Sequence, residues 1–154
     1  MPKKIIFFTG AGMSAESGIK TFRDADGLWE GHDVMKVASI QGWHADPELV
    51  LDFYNQRRRQ LLESFPNQAH IDIANLQDRF NIQIITQNVD DLHERAGSKQ
   101  VIHLHGELLK SRSVHNHFKT YTCKTDIRLG DTNESGHQLR PHIVWFGEEV
   151  PMME

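Results

Sequence analysis

Cysteine, basic charge and long apolar runs are all scarce in this 154-residue sequence. Cys123 is the single cysteine, so no internal disulfide can form, which suits a reducing compartment. The 17 basic and 21 acidic residues give a formal net charge of −4, which excludes a general footprint for nucleic acid or an anionic membrane. No apolar run approaches the roughly 20 residues that cross a bilayer, and residues 1–4 lead into a predicted strand instead of a cleavable signal. We therefore expect a one-domain cytoplasmic protein without a nucleic-acid or membrane partner.

The N-terminal segment is the most informative part of the chain. Residues 4–8 form a short apolar run of β-branched and aromatic side chains, as in a buried parallel strand. Gly10 and Gly12 follow, and glycines here permit a tight turn and a close approach of backbone N–H groups to a pyrophosphate, with a helix N-terminus behind them. The spacing Gly10-x-Gly12-x-x-Ala15 satisfies the loose dinucleotide pattern, although an ordinary strand-to-helix turn fits it equally well.

Helix and strand signals then alternate along the chain. Asp46 is a predicted N-cap with Pro47 at the first helical position, so residues 49–65 should be helical. Residues 67–79 have a roughly helical apolar pattern, and residues 80–85 return to strand. This order predicts a parallel α/β sheet. Residues 111–138 are polar and rich in His, Thr and Asn, which favours a small excursion or a mobile insert.

Three further blocks carry a family resemblance. They are residues 86–97 (TQNVDDLHERAG), residues 103–107 (HLHGE) and residues 139–148 (LRPHIVWFGE). Together with the N-terminal block, they are ordered motifs that resemble the sirtuin family from about residue 4 to residue 149. The chain is most similar to bacterial sirtuins, which also place Lys20 where many relatives have proline. The resemblance implies a Rossmann-like parallel sheet with helices on both faces, a small module, and NAD-dependent deacylation of an acyl-lysine protein or peptide.

The resemblance assigns NAD binding to the first two motifs. Asn88 and Asp90 would contact the nicotinamide ribose region, Gln87 the ribose, and Phe22 would shield the reactive sugar carbon. From the residues alone, Asn88 or Asp90 fits a helix N-cap as well. The full implied set is Gly10, Ala11, Gly12, Ser14, Ile19, Phe22, Arg23, Gln87, Asn88 and Asp90.

His105 is the general base by the same resemblance. A neutral imidazole with a pKa of about 6.5 can accept a ribose hydroxyl proton at physiological pH. His105 follows the apolar pair at residues 101–102, where a strand end would meet a ligand crevice. His103 is the fallback base, because side chains two residues apart on an extended strand share a side.

Two segments are implied in substrate binding. Tyr54 and Arg57 share a helix face, and in sirtuins that prefer succinyl- or malonyl-lysine such a pair lines the acyl pocket, where a guanidinium binds the carboxylate. A solvated basic face is the alternative, since residues 57–59 are all arginine. The second segment, Val144, Trp145, Phe146, Gly147 and Glu148, resembles the strand that pairs with an extended peptide, although a plain core strand has the same pattern.

The sequence departs from the sirtuin pattern in two places. Most sirtuins hold a structural zinc with two cysteine pairs, but Ser113 stands at the first cysteine position, so we expect a reduced, metal-free module over residues 111–138. A substitute zinc site from His115, His117, Cys123 and His137 is the alternative. Further strands and helices follow the last motif in sirtuins, so residues 1–154 are expected to form a sirtuin-type domain that is incomplete at its C-terminus.

Two other functions stay open at this point. The altered region 111–138 suggests NAD hydrolysis or ADP-ribosyl transfer on the same fold, and the early C-terminus suggests an inactive module that binds nucleotide or peptide. A conventional dehydrogenase is disfavoured, because Asp24 and Asp26 fall in a predicted loop and not at the end of a second strand.

Overall fold

The computed structural model describes residues 1–20 and 28–150 of the chain. Its elements form three sheets: a parallel sheet of order β1-β4-β5, a hairpin of β2 and β3, and an antiparallel sheet of order β7-β6-β8. In chain order the elements are β1 (Lys4–Thr9), a 3-10 helix (Ala11–Ser17), β2 (Leu28–Trp29), β3 (His32–Asp33), α1 (Val34–Val37), α2 (Ile40–Ala45), α3 (Pro47–Glu63), α4 (Gln68–Asn75), a second 3-10 helix (Leu76–Asp78), β4 (Asn81–Thr86), α5 (Leu92–Arg95), β5 (Val101–His103), β6 (Gly106–Ser113), β7 (Asn116–Thr122) and β8 (Leu139–Ile143).

The parallel sheet confirms the predicted α/β class. Its first two strands pair in register, with Phe7 opposite Ile84, and β5 continues the sheet beyond β4. The face that carries Ile82 and Ile84 is buried, whereas Ile6 and Phe8 on the opposite face are 53% and 64% exposed. The first strand is therefore buried on one face only within the described residues, although its sequence is apolar on both.

Helix α3 starts where the sequence predicts. The Asp46 side chain accepts a hydrogen bond from the Leu49 N–H at 3.1 Å, and Pro47 occupies the first turn, where its missing N–H costs nothing. The helix ends at Glu63, two residues before the predicted end, and buries Phe53 and other apolar side chains in the hydrophobic core. Among the helices of the described ranges, none has the length and apolar character needed to cross a bilayer.

Residues 111–138 form part of a sheet and are not a free excursion. They supply the end of β6, the whole of β7 and a loop that leads to β8. Ser111 and Arg112 each pair with both neighbouring strands. Ser111, for example, lies opposite Tyr121 of β7 and Pro141 of β8. Polar side chains occur here because β7 is exposed along most of its length, so the backbone pairing does not need an apolar pattern.

Residues 144–148, which the sequence predicts as a substrate-binding strand, do not form a strand. Strand β8 ends at Ile143, and the following residues turn instead of pairing as a ladder. Gly147 has a φ of +91°, and the Glu148 N–H donates to the Trp145 carbonyl at 3.0 Å, which closes the turn. One isolated bridge remains, between Phe146 and Ser39. The prediction relied on the apolar residues, which favour a strand. The turn at Gly147 overrides the β propensity of these neighbouring residues.

Gly106 sets the close approach of β6 to β8. Its φ is +90°, and a Cβ would lie 2.1 Å from the backbone oxygen of His142. We expect Gly106→Ala to lower the free energy of unfolding by about 3–5 kcal/mol, measured by urea titration, because a backbone atom must move. Gly136 has a φ of +77° with open space around it, so Gly136→Ala should cost only about 1 kcal/mol. Equal losses in the two variants would contradict the steric argument.

Candidate functional site

A cavity of about 850 Å³ opens at the carboxyl ends of the parallel strands. The segments that follow β1, β4 and β5 all contribute to it, as expected where polar residues follow parallel strands. The sequence-predicted residues that line it are Ala11, Gly12, Ser14, Ile19, Tyr54, Arg57, Gln87, Asn88, Asp90, His105, Val144, Trp145, Phe146, Gly147 and Glu148. Gly10 does not line the cavity, and its carbonyl instead accepts a hydrogen bond from the Asn88 amide at 2.9 Å. Phe22 and Arg23 lie outside the described residues.

The glycine turn leaves room in the cavity. Gly10 has an extended backbone with a φ of −137°, and neither Gly10 nor Gly12 has a positive φ, so the turn itself does not require glycine. A Cβ on Gly12 would meet nothing within 4 Å. The absence of a side chain at Gly12 therefore keeps space at the start of the 3-10 helix, where backbone N–H groups are unpaired in the first turn.

Ser14, Asn88 and Asp90 form a buried polar cluster at this end of the cavity, each at most 9% exposed. The Ser14 hydroxyl donates to Asp90 Oδ2 at 2.8 Å, and the Asn88 amide lies 3.4 Å from the same hydroxyl. Asp90 Oδ1 accepts the Leu92 N–H at 3.1 Å, but the N-cap residue of α5 is Asp91, so neither Asn88 nor Asp90 is the N-cap of this helix. The Asp90 side chain therefore links Ser14 to the first residue of α5.

His105 lies in the turn between β5 and β6. Its backbone carbonyl accepts the Val144 N–H at 2.9 Å, which anchors the main chain. Its ring lines the cavity and makes no hydrogen bond to a residue in the described ranges. The imidazole is thus held by its backbone and has its nitrogens available for a ligand.

Both ring nitrogens of His103 are hydrogen-bonded. Its Nδ1 lies 2.8 Å from the Asn88 carbonyl and its Nε2 lies 2.8 Å from Glu94 Oε2. Burial disfavours the charged ring, but the hydrogen bond and charge of Glu94 outweigh burial and raise the pKa of His103. His103 does not line the cavity and both its ring nitrogens are engaged, which favours His105 over His103 as the base.

One cluster in the described ranges has the composition of a metal site. Ligand atoms of Glu94, His103 and Glu107 lie within 4.8 Å of one another. The Glu94 carboxylate already pairs with the His103 ring, and Glu107 lies 2.7 Å from the Lys110 ammonium. These contacts account for the cluster as an ion-pair group that supports the Asn88 carbonyl.

The alternative zinc site in the small sheet is not assembled. The rings of His115 and His137 meet edge to face with centroids 4.5 Å apart, and His117 lies against Phe118 instead. The Cys123 thiol donates to a backbone carbonyl at 3.4 Å. Within residues 1–20 and 28–150, no group of three metal-ligating side chains includes these residues.

Tyr54 and Arg57 reach the cavity from one face of α3. Tyr54 is fully buried, its hydroxyl accepts the Trp145 indole N–H at 3.0 Å, and burial raises the pKa of this phenol, which keeps the hydroxyl proton available as a donor. The Arg57 guanidinium lies 3.4 Å from Glu30, and its Nε has no partner within the described residues. Arg57 is therefore a partly neutralised cation that lines the cavity, and its buried Nε has no hydrogen-bond partner within the described residues.

The neighbouring arginines point elsewhere. Arg58 is buried and donates to the Leu108 carbonyl and to Asn55, while Arg59 is exposed and pairs with Asp126. Only Arg57 of the three lines the cavity. The solvated-face alternative is accordingly correct for Arg59 alone.

Trp145 and Glu148 build the opposite wall. The Arg140 guanidinium lies 3.6 Å above the Trp145 ring and donates to both oxygens of Glu148 at 2.9 Å. Burial disfavours the Glu148 charge, but these bonds outweigh it and lower the pKa of that carboxyl. Because its oxygens are engaged, Glu148 holds the wall in place, whereas Phe146 is 51% exposed at the mouth.

Several lining residues carried no sequence signal. Glu30 reaches the cavity through the β2–β3 hairpin, and no local pattern places it beside Arg57. Apolar wall residues such as Leu108 belong to the core pattern and look like any other buried position. The lining residues missed by sequence reasoning are Lys20, Trp29, Glu30, Ala38, Gln60, Leu61, Val89, Leu108, Ile143 and Val150.

A buried histidine behind the polar cluster makes the fold sensitive to acid. His93 is 1% exposed, and burial, reinforced by the nearby His70 and His103, lowers its pKa to about 4 despite Glu94. Between pH 6.5 and pH 4 the unfolded chain then binds a proton that the native chain does not, so stability falls as the pH falls. We expect a loss of about 1–2 kcal/mol between pH 7 and pH 5 from this group.

Urea titrations at the two pH values measure this loss. His93→Gln should reduce the difference between pH 7 and pH 5, while the same substitution at the exposed His117 should not. An unchanged difference in His93→Gln would show that His93 does not carry the effect.

Known proteins resemble the chain over almost its whole length. The family model described as Sir2 family matches residues 10–154. An NAD-dependent protein deacylase of Helicobacter pylori (strain ATCC 700392 / 26695) is 60% identical over 152 residues, which are 99% of this chain and 66% of the relative. A protein of the same name from Bacteroides thetaiotaomicron is 52% identical over 158 residues, which cover 99% of this chain and 68% of the relative. A crystal structure of a Sir2 homolog–NAD complex superposes with a TM-score of 0.85 at 41% identity, covering 97% of this chain and 60% of that one. The chain spans about two thirds of the length of the curated relatives.

Proposed function

The chain belongs to the Sir2 family, and from this premise we propose that it is an NAD-dependent protein-lysine deacylase that removes succinyl or malonyl groups and also accepts acetyl-lysine. The observation that carries the proposal is the shared cavity of Asn88, His105 and Arg57. A ribose-binding amide, an unengaged imidazole and a cation line one space. A deacylase that acts on acidic acyl groups needs these three chemistries together.

The polar end of the cavity fits the nicotinamide ribose half of NAD. Gly12 leaves open space, and Ser14, Asn88 and Asp90 supply buried polar groups at this end of the cavity. NAD, when bound, supplies the ribose carbon that accepts the acyl oxygen as nicotinamide leaves. Gln87 and Asn88 would orient the sugar through hydrogen bonds to its hydroxyls.

His105 would act as the base in this arrangement. Its unengaged ring nitrogen accepts a ribose hydroxyl proton, which prepares that oxygen to take up the acyl group. The His105 main chain is fixed by Val144, so the ring stays at the cavity wall during the reaction. Phe146 and its neighbours at the mouth would contact the substrate peptide beside the lysine stem.

Arg57 and Tyr54 would set the acyl preference. A succinyl carboxylate that reaches Arg57 would compete with Glu30 for the guanidinium, and the Tyr54 hydroxyl proton would supply another donor. The small sheet over residues 111–138 is part of the proposal as a metal-free module. We place the reaction in the cytoplasm, since Cys123 is a free thiol that suits a reducing compartment.

Mass spectrometry of matched peptides tests the proposal. Succinyl-lysine and acetyl-lysine versions of one peptide are incubated with the folded chain, with and without NAD. We expect loss of the acyl group only with NAD, and faster loss of succinyl than of acetyl. Loss that is independent of NAD, or no loss from a chain that calorimetry shows to bind NAD, would refute the deacylase.

A further inference from the structure

Glu30 occupies the first position of the two-residue turn that joins β2 to β3. The pairing of Trp29 with His32 leaves only Glu30 and Gly31 between the strands. Both have a positive φ, +50° for Glu30 and +81° for Gly31, as in a type I′ hairpin turn. Such turns favour Asn, Asp or Gly, and Glu30 is the one non-glycine residue with a positive φ in the described ranges. Local turn propensity therefore does not account for a glutamate at this position.

The hairpin is packed against α3 on both sides of this turn. The Trp29 ring meets the Phe53 ring edge to face with centroids 4.9 Å apart, and the His32 ring meets the same phenyl ring at 5.3 Å. Trp29 also lies edge-on to Tyr54, with centroids 6.0 Å apart. Because residues of both strands pack on one helix, the position of Glu30 relative to α3 is set by the aromatic contacts that flank it.

The Glu30 carboxylate meets Arg57 of α3 at the cavity wall. Glu30 Oε2 lies 3.4 Å from Arg57 Nη1, and both residues line the cavity. The Arg57 and Glu30 side chains are only 17% and 18% exposed, so solvent screens this pair less than an ion pair on the open surface. Glu30 thus balances the charge of Arg57 in the absence of a substrate.

The side chain of Glu30 and an acidic acyl group offer a guanidinium the same chemical group. With an uncharged acyl group in the pocket, the pair of Glu30 and Arg57 can stay closed. A succinyl or malonyl group brings a second carboxylate, which must displace Glu30 or share Arg57 with it, and two carboxylates close together repel each other. Glu30 therefore opposes the binding of acidic acyl groups and does not oppose that of uncharged ones.

We propose that Glu30 is a specificity-determining residue of the acyl pocket. Its carboxylate holds Arg57 in place of a substrate carboxylate, which narrows the preference of the chain for acidic over uncharged acyl groups. The inference rests on the proposed function, because it concerns the acyl preference of the deacylase. The alternative is a purely structural ion pair between the hairpin and α3, which would affect all acyl groups alike.

Glu30→Gln tests the proposal, because it keeps the shape of the side chain and removes its charge. We expect kcat/KM for a succinyl-lysine peptide to rise about tenfold, mainly through a lower KM. The value for the matched acetyl-lysine peptide should stay within about threefold, since the pair is closed both before and after an acetyl group binds. In an Arg57→Met chain, Glu30→Gln should change either value less than about twofold, because Glu30 acts through the guanidinium.

Two further variants separate the charge at the pocket from other effects. Glu30→Asn removes the carboxylate and suits the left-handed turn, so it should give the same change in the succinyl-to-acetyl ratio without a lower Tm. Glu48→Gln is the matched control, since Glu48 is exposed on α3 and does not line the cavity. It removes the same charge from the chain and should leave the ratio unchanged.

Two results would overturn the proposal. They are an unchanged succinyl-to-acetyl ratio in Glu30→Gln, and an equal change on both peptides with a lowered Tm, as a structural ion pair would give. If the parent chain turns over no peptide, the deacylase proposal fails by itself. Calorimetry with the same two peptides then replaces kcat/KM, and Glu30→Gln should bind the succinyl-lysine peptide about tenfold more tightly than the parent chain does. Equal affinities, or no binding by either chain, would refute the role of Glu30.

Discussion

His105→Ala should reduce turnover of a succinyl-lysine peptide by about 10²–10⁴-fold, the usual contribution of a general base. The fold should persist, because the structural contact of His105 comes from its backbone carbonyl and its ring has no hydrogen bond within the described residues. The kcat at saturating NAD and peptide, with the Tm of each variant, measures the effect.

His44 offers a matched control, since it is exposed and does not line the cavity. His44→Ala should leave turnover unchanged. If His105→Ala retains turnover within about threefold, the assignment of His105 as base fails.

Arg57→Met should change the acyl preference more than any other single substitution in the cavity wall. Methionine keeps an apolar stem against Phe53, where the guanidinium now lies 5.2 Å from the ring centroid, but it removes the charge. A charge-assisted hydrogen bond contributes about 1.5–3 kcal/mol, so kcat/KM for succinyl-lysine should fall about 10–150-fold. The value for acetyl-lysine should change less than about threefold, because an acetyl group has no carboxylate to bind.

Arg59 provides the comparison for Arg57. It lies two positions along the same helix but is exposed and pairs with Asp126. Arg59→Met should leave the ratio of succinyl to acetyl turnover unchanged. Equal losses on both peptides in Arg57→Met would remove the acyl-pocket assignment.

Local signals in the sequence predicted much of this architecture. Asp46 and Pro47 mark the start of α3 because capping depends on neighbours within one turn. The parallel strands were predictable from short apolar runs, and their carboxyl ends brought Asn88 and His105 to one cavity as the topology requires. The spacing of Tyr54 and Arg57 placed both on one helix face, and both line the cavity.

The features that the sequence did not predict depend on contacts between segments that are distant along the chain. The partners of His103 are the Asn88 carbonyl, which follows β4, and Glu94 on α5, so no pattern within β5 identifies them. Residues 144–148 have the apolar character of a strand, but the carbonyl of Ala38 and the turn at Gly147 decide their path. His70 meets Ser14 across 56 residues, and neither local sequence shows that contact.

The most direct measurement for the central claim is the identity of the NAD-derived product. The chain is incubated with NAD and a succinyl-lysine peptide, and the products are separated and weighed by mass spectrometry. Our account predicts succinyl-ADP-ribose and nicotinamide in equal amounts with the unmodified lysine peptide. Free ADP-ribose that forms at the same rate without any acyl peptide would contradict it and would indicate an NAD hydrolase on the same fold.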